Sequence, residues 1–249
     1  MPVPLRERMR AFRYRHGPLP PARARARQAE RSLIFSADDE ARPSPRLLAL
    51  ARDASAAAEG ISLEELDERV GAERWHRLWP GEHYRLLAGL VEVLRPALVV
   101  EIGTATGLSA LALLSRLGPD ARVVTFDLVP WREYPGSVLR DDDFADGRLA
   151  QELDDLSTDA GAAKHRDVVA AADLIFIDAA KDGRQEQVFL NRFEHTEFRG
   201  APVVVFDDIR QWKMLGIWRE IARPKLDVTS FGHWSGTGLV DYAPDSAQT

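Results

Sequence analysis

The stretch Leu98-Val-Val-Glu-Ile-Gly-Thr-Ala-Thr-Gly107 decides the fold of this chain. It is an apolar segment that runs into a glycine turn, and a helix-like apolar segment follows over residues 108–117. A second apolar segment, 123–126, ends in Asp127, twenty residues after Gly107. A buried strand, a turn where the backbone can approach a ligand closely, and an acid on the next strand together predict half of a nucleoside-binding site.

The spacing of the glycines indicates which kind of nucleoside is bound. A dinucleotide site uses G-x-G-x-x-G, because three glycines let the backbone close on a pyrophosphate. Here the pattern is Glu101-x-Gly103-x-x-x-Gly107, with Ala105 at the place of the second glycine. A nicotinamide enzyme is therefore the least favoured interpretation.

Length and composition set the class of protein. A chain of 249 residues can form one α/β domain with a large buried core and an appendage. The content of 45% hydrophobic and 29% charged residues is ordinary for a globular protein. The absence of cysteine excludes disulfides, thiolate nucleophiles and Cys-ligated zinc. No apolar run reaches the ~18–20 residues that span a bilayer, and a signal-peptide core is missing, so we expect a cytoplasmic protein.

The charge is unevenly distributed. The net charge is −6, yet residues 1–30 contain eight Arg and only two Glu. Such a basic block can bind an anionic partner, and Leu5, Met9 and Phe12 would share one face of a weak interfacial helix. A solvated or self-docking arm is the favoured interpretation, and membrane contact is the alternative. No nucleic-acid partner is expected.

The chain divides into three predicted parts. Residues 1–44 form a basic, Arg/Pro-rich arm and linker, residues 45–95 a helical segment, and residues 96–249 the ligand-binding core. Strands and helices alternate in this core. Seven strands are predicted, at 97–102, 121–127, about 149–154, 173–178, 202–207, 226–231 and 237–242.

The apolar pattern of these strands predicts the sheet topology. The segments 173–178 and 202–207 are continuously apolar and end in acid, which is typical of strands buried on both faces of a parallel sheet. The last two strands are joined by residues 232–236, a link too short for a helical crossover, so the last strand should be antiparallel. The prediction is a Rossmann-like α/β fold: a mostly parallel seven-stranded sheet with helices on both faces and an N-terminal helical extension.

Ligands of such sheets bind at the carboxyl ends of the strands, and acids are concentrated there. Asp127 can accept both ribose hydroxyls, and Asp155 can receive an adenine amino group. The three acids that remain are Asp178, Asp207 and Asp208. Without a cation they would repel and raise one another's pKa, and Mg²⁺ bound by carboxylate oxygens would relieve this.

The pattern Glu101-x-Gly103-x-x-x-Gly107 followed by Asp127 resembles motif I of the class I S-adenosylmethionine (SAM) methyltransferases. The predicted sheet with its antiparallel last strand is similar to the core of that class. The resemblance implies that SAM is the cofactor. The cofactor-binding residues it implies are Glu82, Glu101, Gly103, Thr104, Gly107, Ser109, Asp127 and Asp155.

A second pattern, Asp178-Ala-Ala-Lys181 followed by Asp207-Asp208, resembles the metal-dependent small-molecule O-methyltransferases of the catechol and caffeoyl-CoA type. The resemblance implies that Asp178 and Asp207 bind the metal and that Lys181 is the catalytic base beside Asp178. Asp208, at a position where the family has Asn, is taken as a third ligand. Glu82 lies in the place of the family's Glu-Gly-Gln segment, which helps to hold the methionine end of SAM.

The scarcity of lysine supports a role for Lys181. Four of the 33 basic residues are Lys, so this chain generally uses Arg as its cation. Arg cannot release a proton near neutrality, whereas the pKa of a Lys beside a metal and a sulfonium can be lowered. A surface lysine at the mouth of a strand is the alternative. His233, Trp234 and Trp131 are candidates for the acceptor pocket, with packing roles as the alternative.

The resemblance implies transfer of a methyl group from SAM to a hydroxyl of a small molecule, with Mg²⁺ chelating two adjacent acceptor oxygens. Two alternatives stay open. One is a metal-independent class I methyltransferase for a sugar or amine, with His233 as the base. The other is a non-catalytic, Rossmann-like binding module. A homodimer is common in the resembling family and is therefore possible here.

Overall fold

The computed structural model describes residues 41–71, 75–77 and 82–243. The predictions for the basic arm, including its membrane contact, concern residues that lie outside these ranges. Within them, no helix is both long and apolar enough to cross a membrane.

Within the described residues, three helices precede the first strand: α1 (Pro45–Glu59), α2 (Glu64–Val70) and α3 (His83–Leu94), with a 3-10 turn at Trp75–Arg77. The Ser44 hydroxyl accepts a hydrogen bond from the Leu47 amide (3.1 Å), and Pro45 occupies the first turn of α1. The segment Ser62-Leu-Glu-Glu65 has the sequence pattern of a capping box, but this box is not formed at the start of α2. Ser62 instead accepts from the amide of Glu64 two residues on.

The seven strands are β1 (Leu98–Ile102), β2 (Arg122–Phe126), β3 (Leu149–Glu152), β4 (Leu174–Ile177), β5 (Val203–Asp207), β6 (Lys225–Asp227) and β7 (Thr237–Asp241). They form one sheet in the order β3-β2-β1-β4-β5-β7-β6. The first five strands are parallel, and β7 pairs antiparallel with both β5 and β6. The predicted sheet is confirmed.

Some element bounds differ from the predictions. The sixth strand ends at Asp227 instead of residue 231, because the amides of Phe231 and Gly232 donate to the carbonyl of Val228 and close a turn. The third strand ends at Glu152. The helix that follows β5 spans Met214–Glu220 and is here named α8.

Helices cover both faces of the sheet. The remaining ones are α4 (Leu108–Leu114), α5 (Asp159–Lys164), α6 (Arg166–Ala170) and α7 (Gln185–Glu194). Successive strand residues point to opposite faces, so Phe176 joins a core with α1, α3 and α4, whereas Ile175 joins a second core with α7 and α8. Because β1, β2, β4 and β5 are parallel, their carboxyl ends lie at one edge of the sheet.

The N-terminal helices dock on the core through a close contact between α1 and α3. A Cβ placed on Gly89 of α3 would lie 2.4 Å from the carbonyl oxygen of Ala54 in α1. Leu50 and Leu86 are buried in the same core. Glycine at position 89 therefore sets the distance between the two helices.

We expect Gly89→Ala to destabilise the protein by about 1–3 kcal/mol, because the added methyl group forces α1 away from α3. Gly216 in α8 is the matched control, since a Cβ there meets no atom within 4 Å. Gly216→Ala should stabilise the protein by about 0.5–1 kcal/mol through helix propensity alone. Urea unfolding measures the free energy of unfolding of both variants. If the two substitutions changed it equally, Gly89 would not set the distance between α1 and α3.

Candidate active site

The end of β1 approaches the end of β4 very closely. Gly103 has a positive φ of 106°, and a Cβ on it would lie 2.0 Å from the carbonyl oxygen of Asp178. The amide of Gly103 donates to the carbonyl of Phe126 (2.8 Å), and the amide of Asp178 donates to the carbonyl of Ile102 (2.9 Å). Only glycine fits at this position, because any side chain would enter the backbone of the neighbouring strand end.

The turn that follows is held by Asp127. Ala105 adopts a left-handed conformation with φ of 42°, which is unusual for a residue with a Cβ. Its amide donates to Asp127 Oδ2 (2.9 Å), and the amide of Leu128 donates to the other oxygen of this carboxylate (2.7 Å). The acid predicted to bind ribose therefore also fixes the shape of the turn.

A cavity of ≈310 Å³ lies beside this turn. Its wall contains the predicted residues Gly103, Asp127 and Asp155. The other polar and apolar side chains of the wall include Asp154, Asp178, Gln185, Leu128, Tyr134, Leu156 and Phe189. Asp155 accepts from the Ser157 amide (2.8 Å), whereas Asp154 is paired with Lys164 (2.6 Å).

A second cavity of ≈260 Å³ adjoins the first, and the two share Ala105 and Asp178. It brings together most of the residues predicted for catalysis and metal binding. The residues of its wall are His83, Tyr84, Thr104, Ala105, Thr106, Ser109, Asp178, Lys181, Asp207, Asp208, Gln211 and His233. The two cavities form one cleft along the carboxyl edge of the sheet.

Lys181 lies between two carboxylates of the second cavity. Its Nζ is 2.6 Å from Asp178 Oδ1, and it also contacts Asp208 Oδ2. Burial lowers the pKa of Lys181, but the two carboxylates outweigh burial and hold it above its usual value. The expected lowering of this pKa therefore depends on positive charge brought by a ligand.

Backbone strain is concentrated in the same place. Among the described non-glycine residues, five have positive φ, and three of them line the cleft: Ala105, Lys181 and Asp208. Such conformations persist only where the surroundings enforce them, and they are often found at functional sites. For Lys181 the enforcing group is Glu186, which is fully buried and accepts from the Lys181 amide (2.6 Å) and the Gly183 amide (3.0 Å).

Asp207 is one of two buried acids of the cluster, together with Asp208. It is 5% exposed, and burial together with Asp178 and Asp208 raises its pKa well above the usual value. His83 Nδ1 lies 3.8 Å from Asp207 Oδ1, and His233 Nδ1 lies 3.7 Å from Asp208 Oδ1. Burial lowers the pKa of His83 to about 3, so this imidazole is neutral.

Several predicted residues lie elsewhere. Glu82 pairs with Arg85 (3.1 Å) and is not among the described residues of either wall. Gly107 begins α4 and faces the Leu139 side chain. Trp131 stacks on Phe144 with ring centroids 5.3 Å apart, which corresponds to the packing alternative.

Trp234 lies beside His233, with ring centroids 5.7 Å apart, and is 56% exposed. The roles predicted for it and for Trp131 in acceptor binding stay predictions. Sequence reasoning missed the cavity positions of His83, Tyr84 and Gln211 and the contacts of Glu186. For His83 and Tyr84 a signal existed, because they directly follow Glu82 in the segment already singled out.

Glu101 is a buried carboxyl in the middle of the sheet. It is fully buried in β1, and burial raises its pKa to about 8, against the opposing effect of the Ser109 and Thr125 hydroxyls. Neither cavity wall includes it among the described residues. Its predicted contact with a cofactor stays a prediction.

We expect Glu101→Gln to stabilise the ligand-free protein at high pH. The raised pKa means that the wild type loses stability from about pH 4.5, the usual pKa, up to about pH 8. The variant should therefore match the wild type near pH 4 and exceed it by roughly 1–3 kcal/mol above pH 8. Thermal unfolding between pH 4 and 9 measures this, with exposed Glu133→Gln as control. A difference independent of pH would contradict the assigned pKa.

No family model matches this chain, and no curated protein matches its sequence. Among solved structures, it is similar to the SAH-bound methyltransferase PaMTH1 of Podospora anserina, with 15% identity, 98% of each chain covered and a TM-score of 0.50. A methyltransferase of Geobacter sulfurreducens has 20% identity, with 88% of this chain and 96% of that chain covered and a TM-score of 0.49. At these identities the likeness is one of fold. The chain has the Rossmann-like fold of class I methyltransferases, as predicted.

Proposed function

We propose that this protein is a SAM-dependent O-methyltransferase that acts on a hydroxyl of a small molecule with the help of a divalent cation. One observation carries the proposal. A cavity suited to a nucleoside and a cavity with acids and a lysine share the wall formed by Ala105 and Asp178. A donor bound in the first cavity would present its reactive end to an acceptor in the second.

The charge of the first cavity favours SAM over a dinucleotide. Among the described residues of its wall, four are aspartates and none is Arg, Lys or His. A pyrophosphate would be repelled by this wall, whereas the sulfonium and ammonium of SAM would be attracted. Asp127 Oδ1 accepts from the amides of Leu128 and Val129, whereas Oδ2 accepts only from that of Ala105. Because each carboxylate oxygen can accept two hydrogen bonds, Oδ2 retains a lone pair for a ribose hydroxyl. The similar Podospora anserina protein holds SAH, the product of SAM after methyl transfer.

The second cavity suits a divalent cation. Asp178, Asp207 and Asp208 provide three carboxylates against one ammonium, so two negative charges are left over when all three are ionised. Oxygen ligands of this kind bind hard dications. Such a cation would supply Lewis acidity that lowers the pKa of an acceptor hydroxyl.

Lys181 is suited to accept the hydroxyl proton. Its loop is fixed by Glu186, and its Nζ is directed into the second cavity by Asp178. Its raised pKa keeps it protonated beside the two carboxylates. The positive charges of SAM and of a cation would oppose this effect and free the amine for proton transfer.

A metal-independent methyltransferase is the second candidate, and one observation favours it. The Lys181 ammonium already contacts both Asp178 and Asp208 and acts as an internal counter-ion for them. Dependence of turnover on a metal separates the two candidates.

We expect SAM to bind the wild type with micromolar affinity and Asp127→Asn to weaken binding about 10–100-fold, because a charged hydrogen-bond acceptor is lost. Calorimetry measures both affinities. Exposed Asp142→Asn is the control and should bind like the wild type. Circular dichroism checks that Asp127→Asn keeps its fold. A wild type that binds NAD but not SAM would contradict the proposal.

We expect Lys181→Arg to lower turnover about 10²–10⁴-fold while SAM affinity changes little, because Arg cannot accept the proton. Methyl transfer from labelled SAM to a panel of catechols, sugars and amines measures turnover. Exposed Lys213→Arg is the matched control and should keep full activity. EDTA should abolish turnover. Activity that survives EDTA would favour the metal-independent candidate and leave the SAM site intact.

A further inference from the structure

Two buried polar atoms face each other in the second cavity without a hydrogen bond. His83 Nδ1 and Asp207 Oδ1 are 3.8 Å apart, and neither has a hydrogen-bond partner among the described residues. Both residues are at least 95% buried, so water cannot generally replace the lost hydrogen bonds. Because burying such atoms without a partner is costly, Asp207 Oδ1 offers an unused acceptor to a cation in this cavity.

A second imidazole faces the same acids from another loop. His233 Nδ1 lies 4.0 Å from Asp207 Oδ1 and 3.7 Å from Asp208 Oδ1. The loop that carries His233 is fixed, because its amide donates to Thr237 Oγ1 (3.0 Å) and its carbonyl accepts from Gly236 (2.9 Å). Ligand atoms of Asp207, Asp208 and His233 all lie within 4.8 Å of one another.

These separations fit the coordination of one ion. Two ligand atoms that are each about 2.0–2.2 Å from a metal lie roughly 3.0 to 4.3 Å apart, depending on the angle between them. The distances of 3.7, 3.8 and 4.0 Å measured between the imidazole nitrogens and the carboxylate oxygens fall in this range. The pocket can therefore offer nitrogen as well as oxygen ligands.

We propose that His233 is a metal ligand together with Asp207 and Asp208, and that this mixed nitrogen and oxygen site selects a transition-metal dication such as Mn²⁺, Fe²⁺, Co²⁺ or Zn²⁺ over Mg²⁺. The inference rests on the proposed function and specifies the cofactor of the same site. Imidazole is a common ligand of these metals, whereas Mg²⁺ prefers an all-oxygen environment.

The proposal gives a reason for aspartate at position 208. Asp208 Oδ2 contacts Lys181, while Oδ1 faces His233 and accepts from Gln211 Nε2 (3.0 Å). An asparagine has one oxygen and would present its NH₂ group to one of these two sides. Aspartate can serve the lysine with one oxygen and a cation with the other.

The competing role of His233 is a structural one. Its Nδ1 also contacts the Ser235 hydroxyl, a neutral partner that a cation would replace. If this contact were the purpose of His233, then Ser235→Ala and His233→Ala should have the same effects. If His233 binds a metal, Ser235→Ala should keep metal binding and His233→Ala should impair it.

The first measurement is pulsed EPR of Mn²⁺ bound to the full-length, chelator-treated protein. We expect modulation from a directly coordinated ¹⁴N nucleus in the wild type and in Ser235→Ala, and its loss in His233→Ala. Bound Mn²⁺ without nitrogen modulation would overturn the proposal. Modulation that persists in His233→Ala would also overturn it, because His83 would then be the nitrogen ligand.

The second measurement is calorimetric titration with Co²⁺ and with Mg²⁺. Most sites bind Co²⁺ more tightly than Mg²⁺, so a preference for Co²⁺ in the wild type is not enough. The test is whether His233→Ala changes the ratio of the Co²⁺ affinity to the Mg²⁺ affinity. We expect His233→Ala to weaken Co²⁺ at least 10-fold and Mg²⁺ less than about twofold. Exposed His195→Ala is the matched control and should change neither affinity. An equal loss for both metals would overturn the proposal.

Both measurements use the metal alone. A protein that binds SAM and transfers methyl groups but binds no dication would overturn this inference and leave the methyltransferase proposal standing. A protein with the nitrogen-ligated metal but no affinity for SAM would overturn the methyltransferase proposal instead.

Discussion

The backbone contact between Gly103 and Asp178 is the constraint on which the rest of the cleft depends. Since no side chain fits at residue 103, the ends of β1 and β4 lie at the distance of a bare backbone contact. This brings the turn around Ala105 next to the loop of Lys181. The nucleoside half and the acidic half of the cleft thereby share one wall, and neither half can shift without the other.

Negative charge gives the cleft its chemical character. The acids Asp127 and Asp155 at one end and Asp178, Asp207 and Asp208 at the other suit ligands that carry positive charge. The proposed methyl donor and metal are both cations, and Lys181 is itself held by two carboxylates. Under the proposed function, the donor and the metal would bind by a common principle, because each of them would relieve the mutual repulsion of the acids.

Local sequence pattern predicted the sheet, because continuous apolar strands and short links are local properties. It also brought Asp178, Lys181 and Asp207 together, since the ends of parallel strands meet at one edge. The burial of single polar residues was beyond it. Glu186 accepts from amides three and five residues before it, yet nothing in the local pattern indicates that this carboxylate is fully buried. The scarcity of lysine was a weaker signal of a catalytic role than the composition suggested. Lys225 is another of the four lysines and is also buried, but its Nζ donates to backbone carbonyls at the end of α8. That position needs a compact ammonium for structural reasons.

Glu186 has a consequence for the cost of binding in the cleft. Its carboxylate accepts from the amides of Lys181 and Gly183, and so holds Lys181 in a strained, left-handed conformation in the folded chain. The loop therefore loses its conformational entropy during folding, and binding of the acceptor does not have to order it again. In the proposed reaction, an acceptor would meet a lysine loop that is already ordered, so its binding energy would remain available for positioning the reacting groups.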